Sequence, residues 1–397
     1  MYNLKMLKRK GALLALAAII FLLGTSLTYL HIKNAFSKTQ QPPQLFQPEV
    51  QMLSADTQPN TTAHVILDAT TTSLSNIPGY TYSSSTCLNA TGTDGEYSCF
   101  STYYKELVAN HGVDIAFTDI KTRYSQMPFV QTDCHPLMHI IGQAAFLLYP
   151  TISEAYLHGD SFCWSGYYHG ILEGYAFKVG KDNLPSLVNT VCADIPGKNI
   201  YSFDYYNCVH GLGHGIMELN DDDVPVSLGI CDGLIGTWEQ ESCYSGIFME
   251  NIVHDSLEHD SKYLKTSDLL YPCDWVADKY KESCYIGQTS YALEKSNYDF
   301  TKISTLCTTV AEPYRDICFQ SYGRDAAGGA QNDPAKIKSL CDIPTVANDV
   351  TNCVVGALKE LISYFHSDVQ MKTFCNLLDE PSRDYCLATG KSYYEIF

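Results

Sequence analysis

The chain carries sixteen cysteines in 397 residues, and their spacing restricts the fold more than any other feature. From Cys87 on, fourteen of them form couples: Cys87/Cys99, Cys192/Cys208, Cys231/Cys243, Cys273/Cys284, Cys307/Cys318, Cys341/Cys353 and Cys375/Cys386. The first members of the last four couples stand 34 residues apart. A fixed period of that length marks an array of helical hairpins, in which each unit buries its apolar face against the next. Cys134 and Cys163 have no close neighbour, which leaves them to pair with each other. So many cysteines are liabilities in a reducing cytosol and become crosslinks in an oxidising compartment.

The text around the couples repeats as well. Tyr280-Lys-Glu-Ser-Cys284 has relatives in Tyr314-Arg-Asp-Ile-Cys318 and Ser382-Arg-Asp-Tyr-Cys386. Each unit reads as a long helix A that holds the second cysteine, as in Cys353-Val-Val-Gly-Ala-Leu-Lys-Glu-Leu-Ile-Ser-Tyr364. A break such as Gly328-Gly-Ala-Gln-Asn-Asp-Pro334 follows. A short helix B, such as Ala335–Cys341, then carries the first cysteine of the next couple. Apolar residues at i, i+3, i+4 and i+7 support helix in both parts. The expected disulfide joins helix B to the next helix A, whereas Cys134–Cys163 is expected to join two A-type helices. A glycine stands three residues after many of the second cysteines: Gly166, Gly211, Gly246, Gly287 and Gly356. Glycine inside a helix costs about 1 kcal/mol against alanine. Its recurrence at one position points to close approach of neighbouring helices.

In period and hairpin form, residues 87–390 resemble Sel1-like and tetratricopeptide solenoids. The resemblance implies a superhelix with a concave groove and says nothing about activity. The expected fold is therefore all-α: a disulfide-stitched α-hairpin repeat solenoid behind an N-terminal transmembrane helix.

That last element rests on the first 30 residues. Lys5, Lys8, Arg9 and Lys10 precede an uncharged stretch, 11–30, long enough as a helix to cross a bilayer core of about 30 Å. The basic flank predicts a cytoplasmic tail at 1–10, a signal-anchor helix at 11–30 and an exported remainder. Residues 31–86, rich in Thr, Ser, Pro and Gln, read as a flexible linker. His-containing repeats then span 87–260, and Cys-paired repeats span 261–397. Six of the 26 basic residues and none of the 44 acidic ones lie in the first 40 positions, so the exported part is more acidic than the overall −18. A phosphate backbone is repelled by such a surface, which argues against nucleic acid as a partner.

The middle repeats carry histidines in register. Cys163-Trp-Ser-Gly-Tyr-Tyr-His-Gly-Ile-Leu-Glu173 and Cys208-Val-His-Gly-Leu-Gly-His-Gly-Ile-Met-Glu218 share the pattern C-x-x-G-x-x-H-G-x-x-E. A third relative, Cys243-Tyr-Ser-Gly-Ile-Phe-Met-Glu250, has Met249 in the histidine position. His135 and His139 stand four apart and share one helix face. Adjacent A helices ~9–10 Å apart would let imidazoles from consecutive repeats meet at one ion, each at ~2.0–2.1 Å. His135, His139, His169, His210 and His214 are the candidate ligands for a transition metal, Zn, Cu or Fe. Glu173 and Glu218, one turn past His169 and His214, are candidate catalytic groups: general bases, ligands or orienters. A thioether from Met249 would bias the site toward copper. Asp221-Asp-Asp223 lacks the spacing of a calcium loop and reads as a turn. No c-type haem attachment motif, H-E-x-x-H, G-x-S-x-G or P-loop pattern occurs.

Two functions follow as expectations. One is a membrane-anchored extracytoplasmic protein, periplasmic or at the cell surface, with a histidine-rich metal site and metal-dependent chemistry. The other is a non-catalytic scaffold whose groove takes a peptide, protein or glycan, with the histidines only packing.

Overall fold

The computed structural model describes residues 87, 93–252 and 261–396. The expected basic tail at 1–10, membrane helix at 11–30 and linker at 31–86 lie outside the described residues. Every regular element among the described residues is helical. In chain order these are α1 (Thr93–His111), α2 (Val113–Tyr124), α3 (Pro128–Thr132), α4 (Cys134–Leu148), α5 (Ile152–Tyr156), α6 (Gly166–Val179), α7 (Leu184–Val191) and α8 (Phe203–Leu219). Then come α9 (Val224–Cys231), α10 (Thr237–Ile252), α11 (Asp278–Lys295), α12 (Phe300–Cys307), α13 (Tyr314–Gly329), α14 (Pro334–Cys341), α15 (Ala347–Phe365), α16 (Val369–Cys375) and α17 (Ser382–Ile396). Among the described residues no helix is long and apolar enough to cross a membrane.

Long and short helices alternate from α6 to α10 and again from α11 to α17. Each long helix packs on the next long one, in the order α1, α4, α6, α8, α10, α11, α13, α15, α17. All described helices fall within one compact unit. The turns repeat down to the backbone. Asp221–Asp222, Asn297–Tyr298 and Gln331–Asn332 are all left-handed pairs, with φ between 53° and 58°. Each pair ends the long helix and is followed by an aspartate, Asp223, Asp299 or Asp333, whose carboxylate accepts from the first free N–H groups of the short helix. The Asp221–Asp223 stretch is thus a capped turn.

All sixteen cysteines are paired, as the spacing predicts, including Cys134–Cys163. Eight disulfides place the folded part in an oxidising, extracytoplasmic environment. In four of them the last residue of a short helix meets the following long helix: Cys231–Cys243, Cys307–Cys318, Cys341–Cys353 and Cys375–Cys386.

Two features depart from the expected form. Cys163 is not in a helix. Cys163, Trp164 and Ser165 have φ of 53°, 53° and 63°, and α6 starts only at Gly166. The bridge therefore ties the first residue of α4 to a left-handed segment. Such backbone is unfavourable for non-glycine residues by roughly 1–2 kcal/mol each. Second, the row of long helices curls back on itself. Trp164 Nε1 donates to Glu360 Oε1 of α15 at 2.9 Å. Ser161 contacts His366, and the Phe203 and His366 rings lie 5.3 Å apart. The segment before α6 and the start of α8 thus meet the C-terminal part of α15 and the residue after it.

Candidate metal centre

The glycines explain how the histidines meet. A Cβ on Gly246 would overlap the His210 carbonyl oxygen, and one on Gly170 would overlap that of His139. One on Gly211 would press on the His169 Cα. The helices thus cross closest at the histidine backbones, and their imidazoles turn into the same small volume. His135, His139, His169, His210 and His214 are all buried. Ring centroids of neighbours lie 4.4 to 5.4 Å apart, as for His169–His214, His169–His210 and His135–His139.

The hydrogen bonds show where each proton sits. His135 Nδ1 lies 2.8 Å from the Cys163 carbonyl, which can only accept, so Nδ1 carries the hydrogen. His139 Nδ1 lies 2.5 Å from Glu173 Oε1. That contact does not meet hydrogen-bond geometry, but two lone-pair atoms would repel at this separation, so Nδ1 is the nitrogen that carries the hydrogen. Gln143 Nε2 donates to the other Glu173 oxygen at 2.9 Å. His214 Nδ1 lies 2.5 Å from Glu250 Oε2. His210 Nδ1 lies 2.8 Å from Ser245 Oγ, whose own hydrogen goes to the Ser242 carbonyl at 2.7 Å. The histidine is therefore the donor there too.

With Nδ1 protonated in these four residues, each Nε2 presents a lone pair. His135 Nε2 faces His139 Nε2 at 2.9 Å, and His210 Nε2 faces His214 Nε2 at 3.2 Å. In each contact, acceptor meets acceptor. A proton or a metal ion must relieve it. Protonation is opposed by the surroundings: burial, then neighbouring imidazoles, push His135, His169 and His214 well below the usual histidine range, and His210 down to about 3. The fifth ring, His169, is buried with its Nδ1 lacking any hydrogen-bond partner among the described residues. Nε2 lone pairs that converge while Nδ1 is held by a carboxylate, carbonyl or hydroxyl are the arrangement that orients metal-binding histidines.

Three groups of side chains each have ligand atoms within 4.8 Å of one another: His135, His139 and His169; His169, His210 and His214; and His139, Glu173, His214 and Glu250. These buried groups can hold a metal ion. All five candidate histidines thus lie together. Met249 sits beside them, its sulfur 3.3 Å from His210 Nε2. Glu173 is in the cluster, but it serves His139 on the preceding long helix and not His169 one turn before it. Glu218 falls outside the three groups. The matching carboxylate comes from Glu250 on α10. It stands seven residues after Cys243, out of register with Glu173 and Glu218, which stand ten after theirs. Ser245 and Gln143 likewise gave no sequence signal. Such partners depend on how far neighbouring helices slide past each other, which a repeat pattern does not encode.

No known protein family, curated protein or solved structure matches this chain.

Proposed function

We propose that the chain is a membrane-anchored, extracytoplasmic helical-repeat protein, a curled solenoid of Sel1 or tetratricopeptide type. Its core is a transition-metal centre that makes it a metal-dependent enzyme. His135, His139, His169, His210 and His214 are the ligands. Glu173 and Glu250 hold His139 and His214 in the metal-binding tautomer, and Glu218, one turn past His214, is the remaining candidate for proton transfer. When bound, the metal would polarise a substrate or activate water. Neutral imidazole donors with a thioether nearby favour copper or zinc over iron. The observation that carries this reading is the facing of lone pairs, Nε2 against Nε2, in both histidine pairs.

Metal analysis of the full-length chain, purified oxidised and without a histidine tag, tests it. Near-stoichiometric transition metal is expected in the parent. It should fall in the His169→Ala/His214→Ala variant while the disulfides and helicity persist. A metal-free parent, or a double variant that keeps the parent's full metal content, would contradict the reading.

The pH response follows from the same burial. A histidine of ordinary pKa, about 6.5, is mostly protonated at pH 5.5 and releases its ion there. His135, His169, His210 and His214 are held below that range, so protons compete only at lower pH. Metal content after dialysis at pH 5.5 is therefore expected to equal that at pH 7. Loss of most of the metal at pH 5.5 would show that the ion sits on exposed side chains instead.

One observation favours the scaffold as a second reading. Trp275 is 55% exposed, and its ring lies beside Tyr271 and Tyr263, at 5.9 and 6.1 Å. An exposed aromatic cluster of this kind suits a glycan or an extended peptide. Binding that is lost in Trp275→Ala, from a parent free of metal, would support it.

A further inference from the structure

The site named above holds more donors than one ion uses, and they are not distributed around one point. If a single ion took all five imidazoles at ~2.0–2.1 Å, all five donor nitrogens would lie within about 4 Å of each other and form one group. No group holds all five: two all-histidine groups of three share His169, and a third, with Glu173 and Glu250, brings ligand atoms of His139 and His214 within 4.8 Å of each other. Between the two pairs the rings of His135 and His214 are 6.3 Å apart and those of His139 and His214 5.4 Å, against 4.5 Å within the His135–His139 pair and 5.0 Å within the His210–His214 pair.

Each pair is also a complete bite. Two nitrogens on one tetrahedral ion at ~2.0–2.1 Å stand about 3.3 Å apart. The Nε2 separations are 2.9 Å in the first pair and 3.2 Å in the second. Each pair has its own lone-pair clash, so an ion at one leaves the other unrelieved. Each also has its own carboxylate, Glu173 behind His139 and Glu250 behind His214. The two halves are therefore built alike, on α4 with α6 and on α8 with α10.

We infer that the centre is dinuclear: His135 and His139 hold one divalent transition-metal ion, His210 and His214 hold a second, and His169 stands between them as the shared ligand. This inference rests on the metal-centre reading and deepens it. The two ions are not equivalent. The Met249 sulfur lies 3.3 Å from His210 Nε2, so the second position offers a soft donor and the first does not. The second position should prefer copper, whose affinity for thioether exceeds that of zinc.

The test uses Cu(II) added to metal-stripped, oxidised full-length protein. Mass spectrometry of the metal should give two copper ions per chain. Electron paramagnetic resonance should show spin–spin coupling, seen as a half-field transition or lost intensity. His135→Asn/His139→Asn and His210→Asn/His214→Asn should each bind one copper with an ordinary uncoupled spectrum. If either pair variant does not fold, the coupling in the parent decides alone. One copper per parent chain with an uncoupled spectrum overturns the dinuclear inference and leaves the metal-centre reading standing. No copper bound by the parent overturns both.

Discussion

Replacing Gly246 by alanine is expected to destabilise the fold by about 3 kcal/mol, the upper part of the usual range for overpacking. A Cβ there meets a backbone carbonyl, that of His210, and not a side chain that can rotate away. Relief requires α8 and α10 to separate, and the disulfide Cys231–Cys243 anchors α10 close by. Gly229 in α9 is the control. A Cβ at that position meets nothing within 4 Å, so Gly229→Ala should raise stability by up to about 1 kcal/mol through helix propensity. Thermal or denaturant unfolding of the two variants, both oxidised, checks the pair. Equal effects would mean that the repeated glycines are not crossing points.

The same crossing sets the second large effect. Glu173→Gln and Glu250→Gln each remove the carboxylate that fixes a histidine tautomer while keeping its size. Each is expected to weaken metal affinity by about 10–100-fold, the usual cost of losing such a partner. Glu218→Gln, outside the convergent groups, should leave affinity unchanged and act only on turnover, if at all. Competition with a chelator of known affinity measures all three. An affinity that drops in Glu218→Gln and not in the other two would place the ion one helical turn away from the position argued above.

Much of this architecture was legible in the sequence because a repeat writes its geometry more than once. The 34-residue period gave the alternation of long and short helices. The cysteine couples gave the stitches between them. The glycine three residues past the second cysteine gave crossing points at Gly166, Gly211, Gly246 and Gly356, but not at Gly287, where a Cβ would meet only the Ile252 side chain. Other features were local or relational and left no such trace. Cys163 sits in text that copies Cys208, yet it is in a left-handed turn. The closing contacts of Trp164 with α15, and of Ser161 and Phe203 with His366 just after it, span about half the chain, and no motif announces them. Glu250 was hidden because the carboxylate that serves a histidine comes from the next helix, at a register set by packing. His210 and His214 show the opposite case. The sequence marked both as candidate ligands, and the structure adds that their Nε2 atoms confront each other.

The most direct measurement is X-ray absorption at the metal edge of the protein as isolated, with extended fine structure. The account predicts a first shell of nitrogen at ~2.0–2.1 Å, with the outer-shell scattering of at least three imidazole rings. A first shell of oxygen alone, without imidazole scattering, or the lack of any metal edge, would contradict it.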